Sequence, residues 1–200
     1  MISNILQRSF AASVILAALG TPLAHAVVIT YDLGGDLSET VALNETQNAT
    51  VTLTADPQQS LDLTPNVTQQ VFFLGGTVSL PGAPGGNGTG TLAPTLTITS
   101  RSATQSSQTL TQSVSIFQSL NLPDGPATTD FILGSGSTVM FNLDGQYTLS
   151  VTPLGNSRID QVGLSIPFGY SADFLLTPIP EPAGLAVFAG CALMLTRRRR

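Results

Sequence analysis

Apolar residues along the middle of this chain recur at every second position. The run ATVTLTA sets Val51 and Leu53 on one face, TLTITS sets Leu96 and Ile98, and QTLTQSVSIFQ sets Leu110, Val114 and Ile116. A fourth run, STVMFNLDGQYTLSVTPL, alternates on both sides of an Asp-Gly pair. Period-two patterns bounded by Gly, Pro, Asn and Asp predict strands. Threonine at the alternate positions fits a solvated strand face, because its branched Cβ suits an extended backbone. No stretch between Val27 and Thr177 carries a helical period of useful length. About nine or ten strands are therefore expected there, in an all-β domain built as a single β-sandwich or flattened barrel.

The fourth run predicts its own register. A two-residue turn at Asp144-Gly145 would set Phe141 against Thr148 and mix apolar with polar on each face. A three-residue loop, Leu143-Asp144-Gly145, pairs Phe141 with Tyr147 and Val139 with Leu149. It also puts Gly145 at the left-handed position of a type I turn with a G1 bulge. The buried face decides register, so the three-residue loop is expected. The segment LPGAPGGNGTGTLAP, residues 80–94, is dense in glycine and proline and reads as a loop within the domain.

Charge narrows the function classes. Between Val27 and Thr177 eleven carboxylates stand against two cations, Arg101 and Arg158. A surface so acidic repels phosphate backbones, which argues against nucleic-acid binding. The same segment has no His, Cys, Lys or Trp. Ser-His-Asp and Cys-His arrangements lack a base, a Ser-Lys pair lacks its lysine, and zinc lacks its preferred ligands. Carboxylate chemistry of the glycosidase kind survives in principle, but the acids are scattered and no indole is present to stack a sugar. Calcium needs only oxygen ligands, and Asp32, Asp36 and Glu39 lie within YDLGGDLSE. Their spacing does not match the EF-hand loop, so they read as a solvated turn. No cofactor is expected. Four Asn-X-Thr sequons, at Asn44, Asn48, Asn66 and Asn87, are attributed to the abundance of both residue types.

The two ends have a different composition. Residues 1–26, MISNILQRSFAASVILAALGTPLAHA, have a cationic flank at Arg8, an apolar run from Phe10 to Leu19 and a helix break at Thr21-Pro22. Ala24 and Ala26 stand where signal peptidase reads small residues, so cleavage after Ala26 is expected. The only histidine, His25, would leave with that leader. At the other end, residues 178–200, Pro180-Glu181-Pro182 precedes the uncharged stretch Ala183 to Thr196 and then Arg197, Arg198, Arg199 and Arg200. Two prolines make a stiff, extended segment, and Pro182 suits the first position of a helix. Fourteen helical residues cover about 21 Å against a hydrocarbon core of about 30 Å, and terminal arginines extend the reach by snorkelling. The arginines keep that end cytoplasmic while the leader sends the body of the chain outward.

Pro-Glu-Pro, a short apolar helix and a terminal arginine cluster, in that order, resemble the PEP-CTERM sorting signal of Gram-negative bacteria. The resemblance covers about the last twenty-one residues. It implies processing by an exosortase, a membrane-embedded enzyme with a cysteine nucleophile, with Pro180, Glu181 and Pro182 as the recognition residues. Arg197 to Arg200 would be the retention signal. It further implies transient residence in the inner membrane, followed by release to the cell surface or an extracellular polysaccharide matrix. The expected function is that of an exported structural protein without catalytic activity. The alternative is a secreted calcium- or glycan-binding adhesive module.

Overall fold

A computed structural model of the chain describes residues 26–82, 85–119 and 128–179. The leader through His25, Pro180-Glu181-Pro182, the apolar stretch 183–196 and the four terminal arginines lie outside the described residues. Among the described residues no helix is long and apolar enough to cross a membrane.

The described chain is all-β. Its strands are β1 (Val27–Gly35), β2 (Ser38–Ala42), β3 (Asn48–Leu53), β4 (Asp56–Leu63) and β5 (Thr68–Ser79). Next come β6 (Asn87–Leu92), β7 (Pro94–Thr99), β8 (Gln105–Thr109) and β9 (Gln112–Ser119). The last five are β10 (Thr128–Leu133), β11 (Val139–Leu143), β12 (Tyr147–Pro153), β13 (Asn156–Val162) and β14 (Ser165–Pro178). Fourteen strands thus replace the expected nine or ten. The strands that alternation does not reveal, β4, β6, β8 and β13, are all sheet edges. An edge strand holds its place through one backbone ladder and need not bury an apolar face, so it carries little period-two signal.

Three antiparallel sheets result, ordered β4-β1-β7-β8, β11-β12-β14-β5-β3-β2 and β13-β10-β9-β6. The arrangement is sandwich-like. Along β14 every second residue from Ile166 to Leu176 is buried. At one end of that row Phe168 meets Phe131 of the third sheet, with ring centroids 4.7 Å apart. At the other, Phe174 meets Tyr31 of the first sheet at 6.1 Å. Both four-stranded sheets therefore cover the same face of the six-stranded one, side by side. β8 adjoins β11 and β6 adjoins β2, so the layers curl toward each other at their rims.

β5 reaches both halves of the core only because its register slips by one residue. Phe168 pairs with Gly76 but Tyr170 pairs with Phe73. The extra residue reverses the inward parity, so Val71 and Phe73 are buried on one side of the bulge and Val78 on the other. A Cβ on Gly76 would strike the tip of the Phe168 ring and lie 2.8 Å from the Thr52 carbonyl oxygen.

The inward faces expected from alternation are the observed ones: Val51, Leu53, Leu96, Ile98, Val114 and Ile116 are all buried. Three expectations are corrected. QTLTQSVSIFQ is not one strand; it breaks at Leu110-Thr111 into β8 of the first sheet and β9 of the third. In the β11–β12 hairpin Phe141 pairs with Leu149 and Val139 with Val151, not with Tyr147 and Leu149. The expected parity is kept, but the loop is Asp144-Gly145-Gln146. Asp144 and Gly145 both have positive φ, and the Gln146 N–H donates to the Leu143 carbonyl at 3.0 Å, which is a type I′ rather than a type I turn. Asp144 tolerates that conformation while the hydroxyls of Ser100 and Ser102, from the β7–β8 turn, donate to its carboxylate. That tertiary contact has no trace in the local sequence. Finally, the expected loop at 80–94 contains β6. Its glycines are where β6 packs against β2: a Cβ on Gly90 would lie 2.5 Å from Glu39 Oε1, and one on Gly88 would strike the Ala42 carbonyl.

Four aromatic rings, Tyr31, Phe73, Tyr170 and Phe174, form the centre of the larger half of the core. The Tyr170 hydroxyl is buried there with no hydrogen-bond partner among the described residues. Burial pushes its phenol above the usual tyrosine range. An orphaned buried hydroxyl costs stability, so Tyr170→Phe should raise the unfolding free energy by about 1 kcal/mol in urea titration. A less stable Tyr170→Phe protein would refute this.

Candidate functional site

The outer face of the third sheet carries the clearest candidate. β9 alternates strictly, with Val114, Ile116 and Gln118 inward and Ser113, Ser115 and Phe117 outward. β10 does the same, with Phe131 and Leu133 inward and Asp130 and Ile132 outward. Register joins these into rows across the strands. One runs Asn87, Phe117, Asp130, and the next runs Thr89, Ser115, Ile132. The result is a shallow groove of about 400 Å³ lined by these six side chains together with Gly88 and Ile116.

Phe117 is 55% exposed and Ile132 46% exposed, and Val162 of β13, opposite Thr128 on the same face, is exposed as well. Asp130 is anchored: its Oδ1 accepts the backbone N–H of Asp160 at 2.8 Å. That contact sits at the bulge where β13 slips against β10 and where Asp160 takes a positive φ. No cationic side chain lines the groove. Arg158 is opposite the inward-facing Phe131, one row away.

A second groove, of about 440 Å³, lies where the described chain begins and ends. Val27, Val28, Arg101, Asp144, Gln146 and Tyr147 are among its lining residues. Here the Ser102 and Ser100 hydroxyls hold the Asp144 carboxyl below the usual carboxylate range. A carboxylate so stabilised is a weak base, so this Ser-Asp cluster is not suited to activating a nucleophile. Its role is mechanical: it ties the β7–β8 turn to the β11–β12 turn across two sheets.

The acidic residues considered for calcium are not brought together. Asp32 lies on β1 opposite Thr97, in the first sheet. Asp36 Oδ1 accepts the Ser38 N–H at 3.4 Å within the β1–β2 turn. Glu39 is on β2 of the six-stranded sheet, and its Oε1 accepts the Thr91 N–H of β6 at 3.1 Å. Glu39 is thus a bridge between sheets. Among the described residues no three acidic, histidine or cysteine side chains are grouped to hold a metal ion. Of the residues expected to be read by processing enzymes, only Ala26 is described, and it is exposed. Ala24, Pro180, Glu181, Pro182 and Arg197 to Arg200 lie outside the described residues.

Sequence reasoning missed the Phe117 groove, although a signal for it exists. Ile116-Phe117 and Phe131-Ile132 are adjacent apolar pairs inside otherwise alternating strands, so one member of each pair must face outward. Compared with known proteins, the chain matches no family model, no curated protein and no solved structure.

Proposed function

We propose that this chain is an exported structural protein, processed by an exosortase and retained at the cell surface or in an extracellular polysaccharide matrix, without catalytic activity. The observation that carries the reading is the order of three elements at one end of the sequence: Pro180-Glu181-Pro182, the uncharged stretch 183–196, and Arg197 to Arg200. The domain between the two signals is taken as one flattened β-sandwich whose second layer is divided between two sheets.

The positions of the domain's ends support the same reading. β1 begins at Val27, the residue that cleavage after Ala26 would leave first. β14 ends at Pro178, two residues before Pro180. Val27 shares the second groove with Gln146 and Tyr147, and the Ile179 N–H donates to the Gln146 carbonyl at 2.8 Å. Val27 and Ile179, near the two ends of the described domain, therefore both lie beside Gln146. A body held at both ends by a membrane during export would sit with this end toward the bilayer.

The test is to determine the C-terminus of the protein released from cells, by intact mass. Release should leave a C-terminus near residues 180–182, and Glu181→Ala should reduce released protein at least tenfold while full-length chain accumulates in the inner membrane. Released protein that still ends in Arg200 would refute the proposal.

A further inference from the structure

We propose that the groove over Phe117 binds a neutral polysaccharide chain. This goes beyond sorting, which concerns only how the domain reaches its destination.

A pyranose offers two kinds of surface: a patch of axial C–H bonds and an equatorial rim of hydroxyls. Phe117 supplies an exposed ring for the first. Around it Asn87, Thr89 and Ser115 supply short side chains that donate to and accept from hydroxyls, and Asp130 supplies a carboxylate that accepts from them. Asp130 is held by the Asp160 N–H through Oδ1, which leaves Oδ2 to accept from a ligand hydroxyl. Within a row the side chains stand about 4.8 Å apart from strand to strand, so successive contacts are presented along a line rather than in a closed cup. An open, linear array suits a polymer better than a compact metabolite.

Charge selects the kind of polymer. The segment from Val27 to Thr177 is strongly acidic, and the groove holds a carboxylate with no cationic side chain on its lining. A uronate or sulfated chain would be repelled, and a neutral one would not. A second copy of this chain is a poorer occupant. Stable self-association buries roughly 800 Å² on each partner around an apolar centre, whereas here the exposed Phe117, Ile132 and Val162 stand in three different rows, beside Asp130, Ser115 and Thr128 respectively.

The groove is also well placed. The third sheet packs on the Phe168 half of β14, and the chain ends emerge at its Pro178 end. At about 3.3 Å per residue the fourteen residues of β14 span roughly 45 Å, so a domain held at the membrane would carry this sheet along its outer half.

Affinity electrophoresis of the purified exported protein, in gels containing dextran, laminarin, galactomannan or alginate, tests the proposal. At least one neutral polymer should retard the protein, and alginate should not. Phe117→Ala should weaken the retardation at least tenfold and Asp130→Asn several-fold, with unchanged circular dichroism. Phe72→Ala, which removes an aromatic ring that is 71% exposed on the other layer, should have no effect. Retardation by none of the neutral polymers would overturn the proposal, as would equal retardation by alginate or a Phe117→Ala protein that behaves like Phe72→Ala. Sedimentation showing self-association abolished by Phe117→Ala would assign the face to a second copy instead. None of these results bears on C-terminal processing, so the two proposals stand or fall separately.

Discussion

Phe174→Ala should cost the domain about 3–5 kcal/mol of unfolding free energy, the usual range for deleting a fully buried aromatic ring. Phe174 has no exposed surface and packs against Tyr31 at 6.1 Å and Phe73 at 6.2 Å. Its neighbours are held by backbone ladders on three strands, β1, β5 and β14, so they cannot close in to fill the space. Small domains have about 5–15 kcal/mol in all, so the variant should lose much of its urea resistance or fail to fold at 25 °C. Phe174→Leu keeps most of the volume and should lose less than half as much. Equal midpoints for Phe174→Ala and the parent protein would mean that the two layers do not meet at this point.

Gly76→Ala should destabilise by about 1–3 kcal/mol although it adds only one methyl group. The added carbon would meet the Phe168 ring, and that ring cannot swing away freely because Phe131 is packed against it at a tilt, 4.7 Å between centroids. The Thr52 carbonyl of β3 closes the other side at 2.8 Å. Gly34→Ala is the control: a Cβ there meets nothing within 4 Å, so its midpoint should stay close to the parent's. Phe168→Leu in the Gly76→Ala background should recover part of the loss, giving a double-mutant cycle that is not additive. Additive losses would show that ring and glycine are not in contact.

How much of this was legible in the sequence depends on where burial writes itself into the chain. Val51, Leu96, Val114 and Phe141 were readable as inward residues because each sits on a central or half-buried strand, where one face meets core and the other solvent. β8, with the sequence QSSQT, has no apolar residue, so only its ladder with β7 identifies it as a strand. The glycines at 88 and 90 read as part of a loop because sequence does not show that β2 lies against them. The turn at Asp144 was misread by one residue for a similar reason: its conformation answers to Ser100 and Ser102, more than forty residues away. The candidate groove was within reach, since two adjacent apolar residues in an alternating strand cannot both be inside. What binds on an outer face depends on the row formed by three strands, and no single stretch of sequence contains that row.

The pairing of β14 also determines how the domain responds to force. Of the described strands it is the last and the longest, paired with β5 over Ser165–Leu175 on one side and with β12 over Ala172–Pro178 on the other. A pull on the tail enters the fold along this strand and loads both ladders in shear, so many bonds must slip at once instead of opening one by one. Whatever drags on the C-terminal end loads these two ladders first.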